Sequence, residues 1–249
     1  MQEAKPMTNE YENDHFFEAY SQMPRSKEGL SAAGEWHQLK PLFPPLEGKF
    51  VLDLGCGYGW HCKFASEQGA KEVLGIDLSQ KMIAQAQQRS KGDGITYRVC
   101  GIEEYDYPQS RWDCVVSNLA LHYIENLDAV FQNVYRTLKP GGVFLFNIEH
   151  PAFTAGVNQD WEYAPDGTPK HWPIDNYFLP GERITNFLGC QVHKQHHTLT
   201  QILMGLLRNG FVLEVVEEAM PSAQMLDIPG MRDELRRPMM LLVRSRKEA

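Results

Sequence analysis

The chain has 249 residues, 24 basic against 32 acidic side chains for a formal charge of −8, and is 43 % apolar and 22 % charged. These figures suit one well-packed domain and exclude a disordered or collagen-like chain. A net-negative surface repels phosphate backbones, so no nucleic-acid partner is expected. No apolar run approaches the ~20 residues of a membrane span, so no membrane partner is expected either.

The opening stretch MQEAKPMTNEYENDH is polar and acidic, without the apolar segment of a secretory signal. Five cysteines (Cys56, Cys62, Cys100, Cys114, Cys190) make an odd count with no C-x-x-C pair. That pattern predicts reduced thiols, no structural metal and a cytoplasmic location. Residues 1–48 read as an N-terminal helical flap: one helix with Trp36 and Leu39 on a face, the aromatics Tyr11, Phe16, Phe17 and Tyr20, and a loop over Pro41–Gly48. Short β-branched or apolar runs follow at 50–54, 72–76, 95–99, 113–117 and 143–148, separated by helical spacing. Ser79 is placed to cap the helix holding Met82, Ile83 and Ala86. Leu127, Val130, Phe131, Val134, Tyr135 and Leu138 recur at helical intervals until Lys139-Pro140-Gly141-Gly142 breaks the pattern. Strand and helix alternating at this rate predict an α/β chain with right-handed crossovers, a mostly parallel doubly wound sheet and helices on both faces. The cofactor-binding core is expected over 49–149. Residues 150–197 are rich in histidine, tryptophan and proline with little periodicity, the mark of an inserted cap or lid. Regular structure resumes at 198–249, with a helix near 198–209 ended by Gly210 and strands at 211–217 and 239–244 that complete the sheet.

The stretch VLDLGCGYGW at 51–60 carries the chemistry. A strand ends in Asp53-Leu54, and Gly55, Gly57 and Gly59 then alternate before a helix. Glycine admits positive φ and lets a ligand approach with no Cβ in the way. The position, past the carboxyl end of the first strand, is where doubly wound sheets bind nucleotides. A dinucleotide loop is G-x-G-x-x-G; here the third glycine comes one residue early and Trp60 follows it. Asp53 would repel a pyrophosphate but suits a cation. Eighteen residues after Gly59, Asp77 ends the second strand, where a carboxylate accepts both ribose hydroxyls. The two acids describe a nucleoside bearing a cation instead of phosphates.

VLDLGCGYG, GIDLSQKM, WDCVVSNLALHYI and LKPGGVFLF, in this order, resemble the motifs of the class I S-adenosylmethionine-dependent methyltransferases, in particular the methyltransferase type 11 small-molecule group. The resemblance is strong over 50–149, and 198–245 fits the close of that fold. It implies a Rossmann-like, seven-stranded sheet with S-adenosyl-L-methionine as cofactor and S-adenosyl-L-homocysteine as product. By the same resemblance, Asp53 and the loop Gly55, Cys56, Gly57 and Gly59 hold the amino-acid end. Asp77 holds the ribose, and Leu78 and Met82 lie against the adenine. The acid usually offered to the adenine amino group falls on Gly101, so Glu103 is its substitute beside the Ile102 backbone, and Asn118 and Leu119 close the set. Methyl transfer from a sulfonium needs acceptor and methyl in near-attack geometry and, for a protonated acceptor, a base. His122 after the fourth strand and Glu149 and His150 after the fifth are the candidates.

Several features admit a plainer reading. His193, His196 and His197 have metal-like spacing but lack a completing carboxylate or thiolate. Trp161, Tyr163, His171, Trp172, Tyr177 and Phe178 either cap the acceptor or pack an irregular segment. Arg25 is a candidate contact for a carboxylate of cofactor or acceptor. Base-methylating relatives of this fold carry Asn/Asp-Pro-Pro-aromatic after the fourth strand, where this chain has Ser117-Asn118-Leu119-Ala120. The expected acceptor is therefore a small organic molecule, and the protein a monomer or homodimer. A nicotinamide-dependent oxidoreductase and a non-catalytic cofactor-binding relative are the alternatives. Asp53, the early third glycine and Trp60 count against the first, and intact acidic motifs against the second.

Overall fold

The computed structural model describes residues 10–156 and 158–249; residues 1–9, which hold much of the polar opening and the start of the predicted flap, lie outside them. Seven strands form the central sheet: β1 (Phe50–Leu54), β2 (Glu72–Asp77), β3 (Ile95–Val99), β4 (Trp112–Asn118), β5 (Leu138–Glu149), β10 (Phe211–Ala219) and β11 (Met240–Lys247). Their order is β10-β11-β5-β4-β1-β2-β3. β1 to β5 pair in parallel, while β11 runs antiparallel between β5 and β10. β1 lies between β2 and β4, so the chain reverses its direction of winding there and opens a crevice at the carboxyl ends of β1 and β4.

Side-chain alternation divides the strands between two layers. Leu52, Leu54, Val115, Phe144 and Phe146 face α6 (Leu127–Thr137) and α8 (Leu199–Arg208), which bury Val130, Phe131, Ile202 and Leu206. Val51, Val73, Cys114 and Val116 face the other way, against α4 (Trp60–Glu67) and α5 (Gln80–Arg89). Burial on both faces explains why the central strands read as near-continuous apolar runs. The helix starts follow local chemistry. The Ser79 hydroxyl accepts from the Met82 N–H, Asn126 accepts from Ala129, and Thr198 with Gln201 forms a capping box. The Gly141 backbone, at φ 77, takes the break after α6 straight into a β5 twelve residues long.

Two segments differ from their sequence reading. The described part of the flap is not one helix but three short ones, α1 (Asp14–Ser21), α2 (Pro24–Glu28) and α3 (Trp36–Leu39), with 3-10 turns between them. Pro24, Gly29 and Pro41 stop each helix from continuing. The insertion is more regular than its composition suggests. After α7 (Pro151–Thr154) come two antiparallel hairpins, β6 (Glu162–Tyr163) with β7 (Pro169–His171), and β8 (Gly181–Phe187) with β9 (Cys190–His196). The second is a seven-pair ladder with Leu188-Gly189 at its turn, both at positive φ as a tight hairpin requires.

Candidate active site

The glycine loop is held from below by backbone. The Gly55 and Cys56 N–H groups both donate to the Ile76 carbonyl at 2.9 Å, fastening the loop to the end of β2. Gly55, Gly57 and Gly59 have φ of 72, 52 and 75. A Cβ on Gly55 would stand 2.4 Å from the Ala120 Cβ, and one on Gly59 2.3 Å from the Tyr97 hydroxyl oxygen, whereas one on Gly57 would meet nothing within 4 Å. Gly57 thus faces open space at the crevice while its neighbours are pressed against protein.

Two carboxylates flank this loop. Asp77 accepts from the Gly57 N–H at 2.9 Å and the Ser79 N–H at 2.8 Å. Burial pushes its carboxyl up to about 6 against the opposing pull of those two hydrogen bonds. Asp53 is buried, its Oδ2 accepting from the Cys62 thiol at 3.2 Å. Its Oδ1 has no partner among the described residues. Burial pushes this acid up to about 7. An orphaned buried carboxylate oxygen is costly, and a cationic ligand group relieves that cost. The orphaned acid, the second acid at the β2 tip and the open face of Gly57 fit a sulfonium nucleoside.

The remaining predicted cofactor residues ring the same edge. Leu78 and Met82 lie at the start of α5, with Met82 buried. Gly101 and Ile102 are buried after β3, Ile102 held by a Tyr107 hydroxyl that donates to its carbonyl at 2.8 Å. Glu103 is exposed, with its carboxyl raised by partial burial and by Glu125 and Glu104 nearby. Asn118 accepts from the Asn147 amide at 2.9 Å. Leu119 stands at φ 53, a left-handed backbone rare outside glycine, and its N–H donates to the Asn147 carbonyl at 2.8 Å. That bend leans Ala120 over Gly55.

At the β5 end the three candidate bases separate. His122 and Glu149 come together, His122 Nε2 lying 3.8 Å from Glu149 Oε1, both buried. His150 points elsewhere. Its Nδ1 accepts from the Ala152 N–H at 3.0 Å, capping α7, and its Nε2 lies 3.1 Å from Glu218 on β10. A residue absent from the sequence reading joins the first two. Lys194, on β9 of the insertion, is buried and donates to Glu149 Oε1 at 2.6 Å and to the Gln159 carbonyl oxygen at 3.3 Å, while the Gln159 amide donates to Glu149 Oε2 at 3.2 Å. Burial pushes His122 down to about 4. Burial would raise Glu149, but His122, the Lys194 ammonium and the Lys194 and Gln159 hydrogen bonds outweigh it and hold this acid below its usual range. The signal for Lys194 was the alternation in QVHKQH, where Val192, Lys194 and His196 share the buried face.

The other predicted features resolve into packing or tethering contacts. His196 accepts from Thr154 at 2.7 Å and donates to the Tyr177 carbonyl at 2.9 Å, His197 donates to the Ile124 carbonyl at 2.8 Å, and His193 pairs with Glu182. No group of three or more His, Cys, Asp or Glu is placed to hold a metal among the described residues. Arg25 pairs with the buried Glu35 at 2.5 Å. The aromatic run divides. Trp172 stacks on Phe153 at 5.0 Å beneath the Arg237 guanidinium and meets Trp161 edge-on, whereas Phe178 is 84 % exposed. The N-terminal segment crosses the crevice. The Tyr11 and Tyr123 hydroxyls are 3.1 Å apart, and Glu12 accepts from the Ser79 hydroxyl at 2.6 Å.

Residues 52–146 match the family described as a methyltransferase domain. An S-adenosylmethionine-dependent methyltransferase of known structure from Mesorhizobium loti is 42 % identical, with a TM-score of 0.81, covering 88 % of this chain and 100 % of that one. The chain belongs to the S-adenosylmethionine-dependent methyltransferases. A candidate methyltransferase of the same kind from Listeria monocytogenes is 46 % identical, with a TM-score of 0.84, over 89 % of this chain and 100 % of that one. An uncharacterized Haemophilus influenzae protein is 30 % identical over 244 residues, 95 % of this chain and 96 % of that one. The malonyl-[acyl-carrier protein] O-methyltransferase of Pectobacterium atrosepticum is 31 % identical over 159 residues, and the chain spans 59 % of its length. S-adenosylmethionine is thus the methyl donor of this methyltransferase, and among its described residues no helix is long and apolar enough to cross a membrane.

Proposed function

We propose that this methyltransferase transfers a methyl group to a small organic acceptor that loses a proton to His122. The observation that carries the reading is the placement of neutral, buried His122 beside Glu149 at the carboxyl end of the sheet, closed over by Lys194 from the insertion. Burial of this pair keeps water from the ring, and an acceptor held beside it would meet the methyl at a raised effective concentration.

When bound, the cofactor supplies a methyl carbon already activated by its sulfonium. The protein's own residues do the rest. The Gly55–Gly59 backbone and Asp53 receive the amino-acid end, Asp77 the ribose, and Leu78, Met82, Gly101 and Ile102 the adenine. Glu103 is exposed beyond the buried Ile102, so the Ile102 backbone carries that part of the assignment. Asn118 and Leu119 shape the floor between cofactor and acceptor. A neutral imidazole with its proton on Nε2, toward Glu149, presents Nδ1 as the proton acceptor, and Nδ1 has no partner among the described residues. His150 serves the fold through α7, which starts the insertion. Relatives act on a malonyl-acyl carrier protein and on phosphoethanolamine. Those acceptors belong to those proteins, and the oxygen, nitrogen, carbon or sulfur attacked here is found by assay. Release of S-adenosylhomocysteine across a panel of small hydroxyl, amine, thiol and carboxylate acceptors tests the reading. Turnover with one class that drops at least tenfold in His122→Gln supports it, and undiminished turnover in that variant sinks it.

A further inference from the structure

His122 and Glu149 belong to the core, but the group that fixes their relation comes from the insertion. Glu149 Oε1 stands between two nitrogens, Lys194 Nζ at 2.6 Å and His122 Nε2 at 3.8 Å. Gln159, also from the insertion, holds the second oxygen, so the carboxylate is gripped at both ends and cannot swing away from the imidazole. Lys194 is itself confined: it lies 5.5 Å from the Phe187 ring centroid and its side chain is 6 % exposed. A buried ion pair of this kind is a poor source of net stability, because desolvating both charges offsets most of their attraction. Its presence at the tip of β5 therefore calls for another role.

We infer that Lys194 is a positioning residue: its ammonium locks Glu149 Oε1 in front of His122 Nε2 and thereby fixes the neutral ring with its proton on Nε2 and its lone pair on Nδ1. The inference rests on the reading of His122 as proton acceptor. In that step the proton leaves the acceptor atom for Nδ1, the electron pair it leaves behind forms the bond to the methyl carbon, and the bond from that carbon to the sulfonium breaks with its electrons going to sulfur, so that S-adenosylhomocysteine is the leaving group. Docking of the insertion is then a condition for a competent base, since an undocked β9 removes Lys194 and frees Glu149. The groups facing His122 are Glu149 on β5, Lys194 on β9, His197 just beyond β9, and Tyr123 on its own turn, which is linked to Tyr11. Glu149 favours the protonated ring, whereas Lys194 and His197 disfavour it.

The test is long-range proton–nitrogen NMR on the full chain labelled with 15N-histidine, without any ligand, with His122→Gln assigning the resonance. In the wild type at neutral pH, His122 is expected neutral with the proton on Nε2. K194M removes the ammonium, and the His122 titration is expected to move up by about one pH unit or more, while K194R keeps the wild-type spectrum. K194M with E149Q leaves no unpaired buried charge and so stays folded. It is expected to show a mixture of the two neutral tautomers. An unchanged His122 titration in K194M overturns the role of Lys194, as does a pure Nε2–H tautomer in the double variant. A wild-type ring with its proton on Nδ1 overturns the proton-acceptor reading itself, whatever Lys194 does. S-adenosylhomocysteine binding, measured by calorimetry on the same samples, is expected to stay within about threefold of wild type. A larger loss in the folded double variant counts against the inference, because it makes the pair part of the cofactor site.

Discussion

The glycine-loop end of the site and the cap end are built by opposite means. Around Gly55–Gly59 the geometry is made by backbone: two N–H groups on the Ile76 carbonyl, one on Asp77, and glycines wherever a Cβ would strike Ala120 or Tyr97. Around Glu149 it is made by side chains drawn from other parts of the chain, the buried His122 and Lys194 and the half-buried Gln159. Backbone loops hold a ligand common to the family, because main-chain groups vary little with sequence. A cluster of buried side chains is open to substitution, which suits the part of the site that tells one acceptor from another.

On that contrast, the largest energetic effect lies at the cap end. Glu149→Ala leaves the Lys194 ammonium buried without its carboxylate, and about 3–5 kcal/mol of stability is expected to be lost. Denaturant melts measure it; a loss below about 1 kcal/mol would mean that Lys194 reaches water and the cap is loosely seated. At the loop end, Asp53 produces the opposite sign. Burial raises its folded value to about 7 from an ordinary 3.8. The folded chain therefore keeps a proton that the unfolded chain has released, and stability falls as pH climbs from about 4 to 7. Asp53→Asn removes that penalty, so the ligand-free variant is expected to be more stable than wild type at pH 8, by up to about 4 kcal/mol, and equal to it near pH 4. Wild type is expected to bind S-adenosylmethionine more tightly as pH rises through that range, and the variant to lose that strengthening. A flat wild-type affinity would remove Asp53 from the cation's surroundings.

The same contrast explains what was legible in the sequence. The core strands, the cap at Ser79, the end of α6 before Lys139-Pro140-Gly141-Gly142 and the positions of Asp53 and Asp77 at the tips of β1 and β2 are all local signals, each read within a few residues, and the structure has every one of these elements. Lys194 was not legible as a site residue. The alternation in QVHKQH puts Lys194 on the face of Val192 and His196, but its meaning depends on Glu149, 45 positions earlier in the chain, and on how β9 meets the turn at 121–123, which that alternation does not encode. The division of the aromatic run was hidden for the same reason: Trp172 is fixed by Arg237, which follows it by more than sixty residues. His150 was misleading in another way. Adjacent strand residues point to opposite faces, so at the tip of β5 only one of Glu149 and His150 turns toward His122. In the flap, Trp36 and Leu39 share a helix face as expected, but Pro24, Gly29 and Pro41 divide the chain into short helices.

Asp77 sharpens the comparison next. Replacing it by alanine deprives the Gly57 and Ser79 N–H groups of their acceptor and removes the proposed partner of two ribose hydroxyls. Cofactor binding is expected to weaken by about 1.5–3 kcal/mol, roughly 10- to 150-fold, by calorimetry with S-adenosylhomocysteine. His122 titration should be untouched, since the two ends of the site share no hydrogen bond among the described residues. A shift of His122 in this variant would show that the ends are coupled and that the division drawn above is too sharp.

The smallest expected effect tests the segment that spans both ends. Glu12 accepts from Ser79 and from the Lys81 backbone beside the glycine loop, while one residue earlier Tyr11 reaches Tyr123 beside the cap. Tyr11→Phe removes one half-buried hydrogen bond and keeps the ring that packs edge-on against Phe16, Tyr20 and Tyr123. A cost of about 0.5–1.5 kcal/mol is expected, a fall in Tm of a few degrees at this chain length. Because the contact crosses the crevice, the informative quantity is how the cost divides. If the segment merely covers the site, the variant loses stability and S-adenosylhomocysteine leaves it at the wild-type rate. If the segment must open for exchange, the ligand leaves faster while equilibrium affinity changes by the same few-fold, since the lost contact then holds the closed state alone. Stopped-flow displacement separates the two, and a slower release in the phenylalanine variant would rule out any closing role for the Tyr11–Tyr123 contact.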